Sequence, residues 1–172
     1  ASHCLSVAIF ALVLWQLYLS SQVGTTPRGT AARSALQHAH ISVGLTAFFL
    51  VLPRLWLWRR LGRPPAPAGI PLHADDFARQ VNLAFYLTVL AFGITGWLFA
   101  AAEGHAVSFW GLFTLPALLA PGYRPSVTLG YLHSALGFWI FYLAGFALCL
   151  AIYQRIRYRV PLLRLLPVFR WS

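Results

Sequence analysis

The stretch VNLAFYLTVLAFGITGWLFAAA, residues 81–102, decides the fold because it carries no charged side chain over its whole length. A helix needs about 20 mainly apolar residues to cross the hydrocarbon core of a bilayer. Three other stretches have similar length and composition, at residues 4–21, 37–58 and 130–153. The sequence therefore predicts an all-α, membrane-spanning four-helix bundle that forms one domain over residues 1–172.

The overall composition also favours a membrane environment. Hydrophobic residues make up 59% of the chain and charged residues only 9%, whereas a soluble domain usually carries about 25% charged residues. So few charges cannot cover a water-facing surface, and lipid must surround much of the protein. The segment FWGLFTLPALL, residues 109–119, is too short to span, and we expect it to lie at the interface or to re-enter the membrane.

The basic residues indicate the orientation. All 13 are arginine, and they give the chain a net charge of +10. Nine lie in the second loop or after the fourth helix, and three lie in the first and third loops. The positive-inside rule then places both termini on the cytoplasmic side of a bacterial inner membrane. We expect the basic tail, residues 155–172, to lie on lipid headgroups, which leaves no reason to expect a nucleic-acid partner.

Two short motifs share one spacing, HISVG at residues 40–44 and HSALG at residues 133–137. Each begins with a histidine that has a glycine four residues later, near the start of its predicted helix. The second and fourth helices run in the same direction, so His40 and His133 should lie at the same depth on the outer side. Ionisable side chains inside a span indicate a functional site by default.

A pair of imidazoles at one depth suits a six-coordinate haem iron. Zinc would need three or four protein ligands, and the outer half offers no other acids or thiols. Gly44 and Gly137 would leave room for a flat porphyrin one turn from each ligand. We expect four aromatic residues to line this pocket: Phe48, Phe138, Trp139 and Phe141. His38 sits about 200° around the helix from His40, so we expect it to point elsewhere.

A less specific interpretation stays open for the same residues. A histidine inside a membrane often makes a helix-to-helix hydrogen bond worth roughly 1 kcal/mol, and glycine is common where membrane helices pack closely.

At the second loop, Asp75 and Asp76 are expected to cap the start of the third helix.

The chain resembles the bacterial cytochrome b561 family of four-helix, b-type membrane cytochromes, which includes superoxide oxidase and relatives of the hydrogenase cytochrome b subunit. The resemblance rests on four stretches and their order. They are HISVGLTAFFLVLPRLWLWRR (40–60), YLTVLAFGITGWLF (86–99), FWGLFTLP (109–116) and LHSALGFWIFYLAG (132–145).

The resemblance implies that His40 and His133 ligate a haem b on the outer side and that Arg54, toward the cytoplasmic half, belongs to the cofactor-binding residues. It also implies a second haem on the cytoplasmic side. The positions that align with the ligands of that haem are Ala8, Asn82 and Ala147, which do not bind haem iron in the usual way. We therefore expect one haem per chain.

One haem near the outer face cannot carry electrons across the bilayer efficiently by itself. The expected function is electron transfer between the quinone pool and an outer-side partner, or within a larger membrane complex. Two alternatives remain: a non-redox accessory subunit of a respiratory or photosynthetic complex, and a superoxide:quinone oxidoreductase. An electron-transfer subunit fits better than a stand-alone enzyme, with lipids, quinone or quinol, and other subunits as partners.

Overall fold

The protein is described from a computed structural model, which covers residues 2–62, 66 and 69–159. It confirms the all-α class, with four long helices, α1 to α4, and one short antiparallel hairpin of strands β1 and β2. Their bounds are α1 Ser2–Thr25, α2 Ala31–Leu61, α3 Leu72–Ala102, β1 Val107–Phe109, β2 Phe113–Leu115 and α4 Tyr123–Tyr158. All four helices are long and apolar enough to span a membrane.

Each helix contains its predicted span and extends beyond it by several residues. The extensions carry recognisable end signals. The Thr30 side chain accepts a hydrogen bond from the backbone N–H of Arg33 at the start of α2, and Gly62 ends α2 with a positive φ of 69°. The Arg33 guanidinium donates to the carbonyls of Val23 and Thr26, which stabilises the end of α1 beside the start of α2.

The start of α3 differs from the expectation that Asp75 and Asp76 cap it. Pro71 occupies the N-cap position, and Asp75 lies inside the first turn. Its buried carboxylate accepts a hydrogen bond from the Arg79 guanidinium at 2.6 Å. The expectation is wrong because α3 begins several residues before its apolar run, which places Asp75 inside the helix. There Asp75 forms an ion pair with Arg79, one helical turn later.

The helices pack in chain order, α1 against α2, α2 against α3, and α3 against α4. The main apolar core draws on all four and includes Ile9, Val51, Phe85 and Ile140. The end of the bundle that carries the α1–α2 loop and the β-hairpin is called the hairpin end below. The opposite end, which carries the α2–α3 connection, is called the linker end.

The segment 109–119 contributes to a hairpin and not to a helix. Trp110 and Gly111 both have positive φ, 51° and 73°, and the Leu112 N–H donates to the Phe109 carbonyl at 2.9 Å. This tight turn brings Phe109 opposite Phe113. The buried side chain of Val107 packs with Leu45 of α2 and Ala100 of α3, so the hairpin lies against these two helices.

The outer surface of the bundle is strongly apolar, as contact with membrane lipids requires. Large side chains on α4 such as Phe138, Phe141 and Tyr142 are 64–67% exposed. The predicted basic tail falls partly outside the described residues. Positions 155–158 form the last turn of α4, and the structure does not describe positions 160–172.

Candidate cofactor site

The structure brings His40 of α2 and His133 of α4 together at the same level of the bundle. Their ring centroids lie 6.3 Å apart, and the ring planes cross at 77°. Two metal–imidazole bonds of about 2 Å each, with the half-widths of the two rings, add up to about 6 Å. The separation of the two ring centroids is therefore close to the one that two imidazoles bound to a single metal ion would have.

Thr95 of α3 favours one tautomer of His133. The Thr95 hydroxyl lies 2.8 Å from the backbone carbonyl of Ala91 and 3.2 Å from His133 Nδ1. A hydrogen bond from one ring nitrogen commonly sets the tautomer and orientation of a metal-binding histidine. When the hydroxyl donates to the carbonyl, its oxygen can accept only from a protonated Nδ1, and this tautomer leaves the lone pair on Nε2 of His133 available for a metal.

Packing holds the His133 ring in place as well. Phe92 stacks on the ring with centroids 4.1 Å apart, and Phe99 lies 6.3 Å away on a near-parallel plane. Gly96 permits this approach, because a Cβ at that position would lie 2.9 Å from His133 Cε1. The ring is therefore enclosed by α3 before any ligand is considered.

His40 has a different partner, Gln16 of α1. The Gln16 amide nitrogen lies 3.0 Å from His40 Nε2. An amide N–H can only donate, so Nε2 of His40 is the acceptor and its proton is on Nδ1. The Gln16 side chain also explains Gly44, because a Cβ on Gly44 would lie 2.8 Å from the Gln16 amide nitrogen.

A cavity of about 380 Å³ contains both histidines, within the range common for small-molecule and cofactor sites. It extends from a polar mouth at the hairpin end to apolar residues in the middle of the bundle. The residues at the mouth include Gln37, His38, Glu103 and His105, and those at the inner end include Val13, Ala47, Val89 and Ile140. Its upper wall includes Val107 of the hairpin.

Several predicted pocket residues lie elsewhere. Gly44 lines the cavity, whereas Gly137 does not and instead contacts Phe92, whose ring would be 3.5 Å from an added Cβ. The expectation for the four aromatic residues is wrong: Phe138, Trp139 and Phe141 are 54–67% exposed, and Phe48 packs over Gly93 outside the cavity lining. Phe138, Trp139 and Phe141 therefore lie on the outer surface of α4.

The structure also corrects the expectation for His38, which lines the mouth of the cavity. His38 and His40 therefore line one cavity although they lie about 200° apart around α2. Sequence reasoning missed Gln16, Phe92, Gly93, Thr95 and Gly96. The repeat of small residues in FGITG was the available signal for a close approach to α3, and Gln16 was the one amide inside the first span.

Arg54 lies far from the histidine pair, about 21 Å along α2 from His40 at about 1.5 Å per residue. It is 1% exposed, and its guanidinium donates to the Ser6 hydroxyl at 2.8 Å. The Tyr86 hydroxyl donates to the same oxygen at 2.9 Å, and the Arg54 guanidinium carbon lies 5.2 Å from the centre of the Tyr86 ring. The structure therefore places Arg54 in a separate polar cluster at the linker end.

The positions that align with ligands of a second haem lie in the same half. Asn82 is buried, Ala147 packs against the main core, and Ala8 is half-buried. His73 lies in the first turn of α3 with an exposed side chain. Among residues 2–62, 66 and 69–159, no group of three or more metal-binding side chains occurs.

Four helices long and apolar enough to span a membrane, with a half-buried histidine pair between two of them, are typical of one class of protein, the helical-bundle membrane cytochromes. No protein-family model matches the chain. It is 33% identical over 147 residues to "Cytochrome b561 homolog 2" of Escherichia coli (strain K12), an alignment that covers 81% of this chain and 71% of the relative. The chain belongs to the cytochrome b561 family and is a membrane b-type cytochrome.

Proposed function

We propose that the protein holds one haem b between His40 and His133 and transfers electrons between the quinone pool and a partner on the outer side, or within a larger membrane complex. The observation that carries this proposal is the 6.3 Å separation of the two rings, and the Thr95 contact with His133 Nδ1 supports it because it leaves Nε2 available to a metal. A hydrogen bond from each histidine to a neighbouring helix would not by itself require the two rings to lie at this separation.

The residues of the chain have distinct tasks in this proposal. His40 and His133 bind the iron, and Thr95 orients one of them. Phe92 and Phe99 exclude water from the His133 side. The bound haem supplies a one-electron redox centre whose potential depends on its axial ligands and surroundings. The cavity mouth beside His105 and Glu103 gives the aqueous side access to it.

The orientation is part of the proposal. Among the described residues, the linker end carries Arg59, Arg60, Arg79, Arg155, Arg157 and Arg159, and the hairpin end carries Arg28, Arg33 and Arg124. The positive-inside rule therefore favours the linker end and both termini on the cytoplasmic side of a bacterial inner membrane. The haem would then lie near the periplasmic surface.

Haem content tests the proposal directly. The purified protein should contain about one haem per chain and show a low-spin b-type spectrum, and His133→Ala should lose most of that haem because one axial ligand is missing. His38→Ala is the matched control, since His38 lines the mouth of the same cavity and should leave the haem in place. Full haem retention in His133→Ala would show that the ligand assignment is wrong.

The accessory-subunit alternative shares the haem and differs in reactivity. Reduction of the haem by a quinol, or by superoxide, would identify an electron carrier and would specify its donor. A haem that neither reagent reduces in the intact protein would favour the accessory subunit. The exposed aromatic residues of α4 fit lipid contact in both cases.

A further inference from the structure

We infer that Gln16 competes with the haem iron for His40, so that it guards the ligand in the haem-free protein and lowers haem affinity. This inference rests on the proposed function, because it assigns a role to Gln16 toward the same haem. The lone pair on an imidazole nitrogen can accept one hydrogen bond or bind one metal ion, and Gln16 donates to that lone pair on His40 Nε2 at 3.0 Å.

The position of Gln16 is fixed from several sides. Its side chain is 7% exposed and lines the cavity, so it cannot leave His40 for water without a rearrangement. Gly44 supplies the space for the amide, because a Cβ there would lie 2.8 Å from the amide nitrogen. The sequence suggests that Gly44 leaves space for a porphyrin, but in the structure this space is occupied by the Gln16 side chain.

The remaining polar atoms of the pair indicate that the arrangement is not complete. Within the described part of the chain, Gln16 Oε1 and His40 Nδ1 are buried without a hydrogen-bond partner. A buried polar group without a partner costs free energy, so a ligand that enters the cavity and reorients Gln16 would recover some of that cost. When iron binds His40 Nε2, the amide must give up its present hydrogen bond and turn toward the cavity.

The two histidines are therefore prepared in different ways. Thr95 hydrogen-bonds with Nδ1 of His133, which leaves Nε2 free to bind a metal. Gln16 hydrogen-bonds with Nε2 of His40, which is the nitrogen that would bind the metal. Haem binding keeps the first hydrogen bond and breaks the second. The structure thus assigns opposite signs to the effects of Thr95 and Gln16 on haem affinity.

The test compares Gln16→Leu with Gln37→Leu. Gln37 lines the same cavity, so the control makes the same chemical change away from His40. Haem-free protein in detergent is titrated with haemin, and the association rate and the dissociation constant are measured from the low-spin spectrum. We expect the dissociation constant of Gln16→Leu for haem to be about threefold to tenfold lower than that of the wild type, because the competing hydrogen bond is lost. Its association rate should also be higher. Gln37→Leu should match the wild type in both quantities. Gln16→Ile, which also removes the donor and cannot bind iron, should agree with Gln16→Leu if the leucine variant folds poorly.

A second measurement needs no haem. Histidine ¹⁵N spectra of the haem-free protein should show His40 with its proton on Nδ1 and a hydrogen-bonded Nε2, and Gln16→Ile should shift only the His40 resonance. Unchanged haem affinity in both Gln16 variants overturns the inference. Weaker binding also overturns it, since Gln16 would then support the ligand. If no variant and not even the wild type takes up haem, the proposed function fails and the inference fails with it.

Discussion

At the scale of single residues, the position of His133 depends on the α3 side chains packed around it. Thr95 favours the tautomer of His133 that carries its proton on Nδ1, and Phe92 and Gly96 decide where the ring can lie. Such partners of a metal-binding histidine often change metal affinity or activity by about 10- to 100-fold when they are replaced. The most informative residue substitution is therefore at Thr95, not at a ligand.

Thr95→Val should weaken haem binding by about tenfold or more, because His133 Nδ1 loses its acceptor and the ring is free to choose the other tautomer. Haem titration measures this change, and Thr95→Ser should restore wild-type affinity. Thr88→Val is the matched control, since Thr88 lies on the same helix, is equally buried and bonds to the Ala84 carbonyl. Equal haem affinity in the two valine variants would show that Thr95 has no role in orienting the ligand.

The sequence predicted that His40 and His133 come together, which the structure shows, but it did not predict the residues that surround them. Matching motifs and a known helix direction were enough to place His40 and His133 at one depth. Spacing along a helix does not say which neighbouring helix each face meets, and for this reason Gly137 was expected in the cavity although it contacts Phe92. The role of Gln16 depends on the register of α1 against α2, which no pattern within α1 reveals.

At the scale of elements, the β-hairpin is the part of the fold that hydropathy describes least well. FWGLFTLP reads as a short interfacial piece, yet it turns back on itself and lies along α2. Backbone polar groups inside a membrane must be satisfied by the protein. Ser42 meets this need, because its hydroxyl accepts from the Trp110 N–H at 3.0 Å and lies 3.4 Å from the Ser108 carbonyl. The Trp110 indole donates to Thr46 at 3.0 Å.

Ser42→Ala should release the hairpin from α2, because it leaves the Trp110 N–H without its acceptor in an apolar setting. Hydrogen exchange in lipid nanodiscs measures the effect, and we expect faster exchange across residues 107–115 with little change in α1. Ser20→Ala is the control, since it makes the same change on α1, where Ser20 lines the cavity. Unaltered protection of the hairpin in Ser42→Ala would mean that Val107 and its apolar neighbours alone hold it.

At the scale of the whole molecule, the two halves of the bundle do different work. The hairpin end contains the cavity and the histidine pair, and the linker end contains buried polar residues that join helices. Ser6 of α1 accepts hydrogen bonds from Arg54 of α2 and Tyr86 of α3, so one hydroxyl connects three helices. Composition predicted the four helices, but it could not predict this cluster, because long-range pairs such as Ser6 with Tyr86 depend on how the helices pack.

Tyr86→Phe tests whether the polar cluster at the linker end stabilises the bundle independently of the histidine pair. The variant loses one buried hydrogen bond, worth about 1 kcal/mol, so thermal unfolding in detergent should shift down by about 2–4 °C. The haem spectrum and haem affinity should stay unchanged, because the cluster lies near the opposite membrane face from His40. Tyr142→Phe, at an exposed position of α4, should change neither quantity. A changed haem spectrum in Tyr86→Phe would contradict the separation, since it would mean that the linker end either touches a cofactor or controls the geometry of the histidine pair.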